Sequence, residues 1–337
     1  MTRDKIKPIL FSIIKHQDPE QLKRQIPRDI VAGIVVAIVA LPLSIALAIA
    51  SGVGPEQGLY TAIVAGFIIA LLGGSAVQIS GPTAAFATIV AGIVASSGMD
   101  GLVAATIIAG VLLILMGVFR LGTLIRFVPY TITTGFTAGI AVTIVAGQLK
   151  DLFGLTYPAG TPTIETMDKL SAVAANFSTF NVEALIVGLV CLAVLVLWPR
   201  VSQRIPGSLI AVLAGIAMVS GLGMNVNTIG DLYTINAGVP QLQLPQLSFE
   251  LFREQLPNGF TIAILAAIES LLSCVVADSM ISSHHRANME LVAQGVGNIG
   301  SVMFGGIPAT GAIARTAANV KAGGRTPIAG MVHAVVL

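Results

Sequence analysis

The stretch Leu72-Gly73-Gly74-Ser75-Ala76-Val77-Gln78-Ile79-Ser80-Gly81-Pro82-Thr83-Ala84-Ala85-Phe86 lies inside an uncharged run from residue 57 to residue 99. A bilayer core of about 30 Å takes roughly 20 apolar residues per helix, so this run is too long for one crossing. Gly73-Gly74 and Gly81-Pro82 are the places to divide it. Pro cannot donate a backbone hydrogen bond, yet it starts helices well. The spacing therefore predicts one helix over 57–72 and another over 83–96, with irregular backbone between them at membrane depth. Such backbone survives only where protein or a water-filled cavity surrounds it. A helix that begins there aims unpaired N–H groups and its positive dipole end at that cavity.

Composition agrees with lipid as the solvent. Of 337 residues, 55% are hydrophobic and 10% charged, and mean hydropathy is +0.90. A soluble domain carries about a quarter charged residues. The 36 Gly and 16 Pro fit membrane helices, where both are frequent. Cys191 and Cys274 sit in apolar runs and support neither a disulfide framework nor a metal site. The chain has no Gly-rich phosphate loop, no metal-ligand cluster and no Ser/His/Asp arrangement of useful spacing. An enzyme, ATP hydrolysis, a bound cofactor and a nucleic-acid partner are not expected.

The expected spans are 30–50, 57–72, 83–96, 101–119, 127–149, 182–198, 207–222, 258–277, 288–304, 310–320 and 327–337, an all-α polytopic membrane protein. Residues 1–28 form a basic segment in which Ile6, Ile9, Leu10, Ile13 and Ile14 suggest an amphipathic helix on the membrane surface. Lys and Arg set the orientation. With a cytoplasmic N-terminus, alternate threading leaves Lys150, Lys169 and Arg253 outside and Arg315 inside the membrane. Every other Lys or Arg falls on the cytoplasmic side. The longer polar stretches 151–180 and 223–257 become external caps.

An internal repeat sharpens this. Gly58-Leu59-Tyr60 through Leu72-Gly73-Gly74 has the length of Glu290-Leu291-Val292 through Phe304-Gly305-Gly306. Each ends in Gly-Gly and is followed by a Pro break, at Gly81-Pro82-Thr83-Ala84-Ala85 and at Ile307-Pro308-Ala309-Thr310-Gly311-Ala312. The two run in opposite directions across the membrane, as inverted repeats do. Half-helices starting near Thr83 and Thr310 would face each other and make an anion site from backbone N–H groups. The small residues Gly81, Ala84, Ala85, Gly311 and Ala312 would admit a ligand, or serve as ordinary small-residue packing positions.

Ionisable residues at membrane depth are functional candidates by default. Glu269 sits mid-span and Arg315 follows the second break. Arg315 would add a full charge to its dipole end. Glu269 could bind a coupling cation, take a proton, or pair with Arg315 to lock two helices. Ser273, one turn along, could supply an oxygen to a cation. Asp278 is expected to be solvated, His284 and His285 to be surface residues, and His333 receives no role. Asn298 and Gln294 could line the cavity or bridge helices.

Leu41-Pro42-Leu43-Ser44-Ile45-Ala46-Leu47-Ala48, Gly58-Leu59-Tyr60, Ser80-Gly81-Pro82-Thr83-Ala84-Ala85 and Gly305-Gly306-Ile307-Pro308 with Arg315 together resemble the sulfate permease (SulP, solute carrier 26) family. Ala267-Ile268-Glu269-Ser270-Leu271-Leu272 and Ala312 through Val320 are most similar to its bacterial C4-dicarboxylate (DauA-like) branch. The resemblance implies a 7+7 inverted-repeat, UraA-like transporter fold with a core and a gate domain. The first repeat would occupy 29–222, an external loop 223–257, and an incomplete second repeat 258–337, giving about 11 spans. It implies an anion held by Thr83, Ala84, Ala85 and Phe86 of the third span and Thr310, Gly311, Ala312 and Arg315 of the tenth. It gives Glu269, with Ser273, to a coupling ion, Na⁺ or H⁺.

Implied substrates are sulfate, bicarbonate or C4-dicarboxylate, carried by secondary active transport in a bacterial inner membrane, usually by a homodimer. Leu43 stands where many sulfate carriers of the family have Gln. Most members end in a cytoplasmic STAS domain, absent from this sequence, so the chain is expected to be a fragment. A nucleobase permease of the same fold, which uses carboxylates on both spans, and a passive anion channel are the alternatives. Arg315 speaks for an anion.

Overall fold

The computed structural model describes residues 6–16, 18–123, 130–158, 160–202, 206–234, 238–243, 245 and 247–337. Arg3, Lys5, Arg126 and Arg204, used above for orientation, and the start of the fifth span lie outside them. The chain forms two compact units, one from residues 1–129 and 236–337, the other from 130–235. These do not follow the repeat boundaries, since each repeat contributes to the first unit.

In the first unit, α1 (Ile9–His16) precedes α2 (Pro19–Ala50). The basic segment is thus two pieces, and the first span begins well before residue 30. Asp18 caps α2 by accepting from the Glu20 N–H at 3.2 Å, and Pro19 opens it, the position where a missing N–H costs nothing. The helix α3 (Pro55–Leu72) ends at Gly73, as the sequence predicts. After it comes β1 (Ser80–Gly81), a 3₁₀ turn at Ala84–Phe86 and α4 (Ala87–Val118).

A break at Gly98 (φ +66°, ψ −168°) interrupts α4, in a region of backbone space open essentially to Gly alone. The chain reverses there. Thr83 meets Glu269 and Ser97 meets Gln255. On the way back, a Cβ placed on Gly110 would abut Gly295, and one on Gly117 would abut Asn288. The two expected spans 83–96 and 101–119 are therefore a hairpin.

In the second unit, α5 (Tyr130–Leu152), α6 (Thr166–Ala175), α7 (Val182–Val201), α8 (Gly207–Leu222) and the short α9 (Ile229–Leu232) follow one another. Leu189, Leu192, Val196 and Leu213 are exposed, as a lipid-facing surface requires. Phe153, Phe177 and Phe180 cluster, with Phe153 edge-on to Phe177 at 5.6 Å, and this cluster closes the polar cap of 151–180.

Back in the first unit, α10 (Phe249–Ile281) starts earlier than the expected 258. Ser248 caps it by accepting from the Leu251 N–H at 3.1 Å. The stretch 223–257 is thus not all loop. Then come α11 (Ala287–Met303), β2 (Thr310–Gly311), α12 (Ile313–Ala322) and α13 (Ile328–Val336). Among the described residues, five helices are long and apolar enough to cross a membrane.

The repeat halves α3 and α11 lie antiparallel, because Gly73 abuts Glu290 while Gly297 abuts Ile69. Each holds the segment following the other. Glu290 accepts from the Gly74 N–H at 2.9 Å, and the Thr61 hydroxyl oxygen accepts from the Ile307 N–H at 2.7 Å. The apolar core around Phe86, Leu102, Leu113, Ile262, Leu271 and Leu291 fixes the hairpin of α4 against α10 and α11.

Candidate functional site

The two Pro breaks meet. Ser80 pairs with Gly311 and Gly81 with Thr310 in an antiparallel two-stranded ladder. The Ala312 N–H extends it to the Ile79 carbonyl at 2.8 Å. The sequence predicts two half-helices with free N–H groups and misses this ladder. A run of two residues gives no period-2 signal, and the pairing partner lies some 230 positions away in sequence. The ladder ties up backbone groups just before the first Pro and just after the second. The first-turn N–H groups of α12, at Ile313, Ala314 and Arg315, have no intrahelical carbonyl to bond.

Side chains brace the crossing from α10 and α12. Ser270 Oγ lies 2.6 Å from Thr310 Oγ1 and accepts from the Gly311 N–H at 3.2 Å. Thr316 Oγ1 accepts from the Ile79 N–H at 3.0 Å and from the Ser273 hydroxyl at 3.4 Å. Ser273 is fully buried, so its hydroxyl is turned to α12. Phe86, Thr310, Gly311, Ala312 and Thr83 are buried, while Ala84, Ala85, Glu269 and Ile313 are half-buried and Ala314 is exposed. Small side chains therefore form the open side of the crossing.

The two membrane charges do not form an ion pair. Arg315, 2% exposed, reaches across from α12 to the first break and donates to the Pro82 carbonyl. A Cβ on Gly81 would fall 2.7 Å from its Nη1, so a glycine there is what lets the guanidinium lie against the strand. Among the described residues, its Nε and Nη1 have no hydrogen-bond partner. Glu269 Oε2 instead accepts from the Thr83 hydroxyl at 3.0 Å. Each charge of the second repeat is thus tied to the first. A buried guanidinium with donors unspent is costly unless something negative or polar meets it.

His333 is a residue that sequence reading passed over. It lies in α13, fully buried, beside Gly66, and among the described residues neither ring nitrogen has a hydrogen-bond partner. Its only sequence signal was its place in an apolar run. Two other expectations are corrected. Asp278 is not simply solvated, since Oδ2 accepts from the His285 N–H at 2.8 Å and lies 2.8 Å from its Nδ1. That contact also removes His285 from the free surface. Asn298 ties α11 to the second break and not to another helix: it donates to the Ala309 carbonyl at 2.9 Å and accepts from the Ala309 N–H at 2.8 Å.

A profile described as the sulfate permease family matches residues 26–337. The chain belongs to the sulfate permease family. Bacillus subtilis YvdB, provisionally named a sulfate transporter, is 42% identical over 85% of this chain and 54% of its own length. The bicarbonate transporter BicA of Picosynechococcus is 34% identical over 85% of this chain and 52% of its own. The chain thus spans about half the length of these curated relatives.

The solved transmembrane domain of a cyanobacterial BicA superposes with a TM-score of 0.81 at 31% identity, covering 93% of this chain and 81% of that one. Murine Slc26a9, solved as an anion transporter in its inward-facing state, gives 0.82 at 19% identity over 98% of this chain and 58% of its own, which speaks for the fold alone. The chain is a multi-pass protein of an anion-transporter family with the UraA-like fold. Its relatives in the sulfate permease family are named as transporters.

Proposed function

We propose that the protein of which this chain is part carries a small oxyanion across the membrane by secondary active transport, and that the crossing of β1 and β2 is where the anion binds. The observation that carries this reading is Arg315, a buried guanidinium whose Nε and Nη1 have no hydrogen-bond partner among the described residues at a crossing otherwise lined by small residues. An anion would lie against Ala84 and Ala85 on one side and Gly311 and Ala312 on the other. It would meet the first-turn N–H groups of α12 and the positive dipole end there. Thr83, Phe86 and Thr310 shape this space. Relatives named for bicarbonate and for sulfate support an oxyanion, and C4-dicarboxylates carry the same recognition chemistry.

Glu269 is the candidate for the coupling ion, H⁺ or Na⁺. Its carboxylate faces Thr83 of the first repeat, so protonation or cation binding would alter a contact between the two halves of the site. Ser273, one turn along on the same helix, is the second candidate for that ion, and its hydroxyl also donates to Thr316 Oγ1 at 3.4 Å. The distribution of Lys and Arg supports a cytoplasmic N-terminus, and the working protein is read as a homodimer.

The test is uptake of radiolabelled sulfate, bicarbonate and succinate by the full-length protein in proteoliposomes, with and without pH and Na⁺ gradients. Accumulation of one of these anions under a gradient is expected. Uptake of neutral uracil without any anion would overturn the proposal.

A further inference from the structure

We propose that the pocket between α1 and Arg286 holds the phosphate headgroup of an anionic phospholipid. The pocket has a volume of about 380 Å³ and is lined by Lys7, Ser12, Lys15, His16 and Arg286, with Phe11 at its edge and no carboxylate among its lining residues. Among the described residues, neither Lys7, Lys15 nor Arg286 is in an ion pair. Arg286 Nη1 donates to the carbonyls of Lys7 at 2.9 Å and Pro8 at 3.3 Å. It fixes the start of α1, and its charge stays unneutralised. One anchored and two exposed cations, an imidazole and a hydroxyl around one cavity suit a phosphodiester.

The apolar side says which source of phosphate fits. Leu10 is buried, but Phe11 and Ile14 are each 56% exposed. An amphipathic helix with basic and aromatic residues lies in the interface, its apolar side chains among the acyl chains. A free phosphate ion would leave Phe11 and Ile14 without a partner, whereas a lipid satisfies both halves of the surface. The pocket also lies on the face to which the Lys and Arg distribution assigns the cytoplasmic leaflet, where anionic lipid attracts basic segments roughly fivefold per Lys or Arg.

The pocket is clamped to the site's approach. The Ile9 N–H donates to the Gly73 carbonyl at 3.0 Å and the Arg286 N–H to the Gly74 carbonyl at 2.9 Å. The Gly74 N–H is held by Glu290 at 2.9 Å, which also holds Gln78 at 2.8 Å, two residues before β1. A bound headgroup would thus pin the segment that leads into β1.

The experiment is native mass spectrometry of this chain in detergent with phosphatidylglycerol, phosphatidylcholine or inorganic phosphate. Phosphatidylglycerol should be retained about tenfold over phosphatidylcholine and resist displacement by an equal concentration of inorganic phosphate. The Lys7→Gln/Lys15→Gln variant should lose about tenfold of that retention. Arg24→Gln/Lys321→Gln, which removes the same charge from exposed positions outside the pocket, should keep it. Equal retention of the two lipids overturns the proposal, as does displacement by inorganic phosphate. So does equal loss in the two double variants, or unchanged retention in the first.

Discussion

On the proposed reading, three residues decide what the crossing can hold. Arg315 supplies the charge, Gly81 the room for it, and Glu269 the carboxylate tied to Thr83. Removing the guanidinium in Arg315→Ala should weaken binding of the transported anion by more than tenfold, measured by calorimetry on the full-length protein. A Gly81→Ala methyl would fall 2.7 Å from Nη1, displace it, and cost about tenfold in the same assay, about 1.4 kcal/mol. Gly92→Ala, with nothing within 4 Å, should leave affinity unchanged. Glu269→Gln keeps the volume and an acceptor for Thr83 but cannot be ionised. Anion binding should persist while gradient-driven accumulation in proteoliposomes is lost. Accumulation equal to wild type would remove Glu269 from coupling.

Among the elements, the α4 hairpin depends on one backbone position. Gly98 at φ +66°, ψ −168° has nothing within 4 Å of an added Cβ, so a substitution there tests backbone strain and not crowding. Gly98→Ala should cost about 1–3 kcal/mol and lower the thermal midpoint of the purified chain, while anion affinity stays close to wild type. The β1–β2 ladder works differently. It turns two Pro breaks into one crossing, so the half-helices are fixed relative to each other before any ligand arrives. Preorganised N–H groups lose little on binding, whereas mobile ones would have to be ordered at that moment.

At the scale of the whole molecule, α3 and α11 carry reciprocal contacts that join segments of both repeats within the first unit. Glu290, 1% exposed, accepts from the Gly74 and Ser75 N–H groups and from the Gln78 and Gln294 amides. Glu290→Ala would orphan these donors at a cost on the order of 3 kcal/mol and lower the thermal midpoint sharply. Glu20→Ala, which removes an exposed pair with Lys23, should not move it.

The sequence by itself determined the solvent, the breaks and the approximate course of the helices, though not where α2 and α10 begin. Twenty-residue apolar runs and Gly-Pro punctuation follow from bilayer thickness and from the missing N–H of proline, both local facts. It also pointed to the repeat and to Glu269 and Arg315, because a charge in an apolar run is conspicuous without any fold. Only the tertiary structure decided where those charges go. The Arg315 contact to Pro82 and the Glu269 contact to Thr83 join residues about 190 to 230 positions apart, and no periodicity encodes them. The same holds for the Ser80–Gly311 pairing and for the burial of His333. Each depends on α10 to α13 packing against α2, α3 and α4, a matter of contact between distant segments that local sequence does not record.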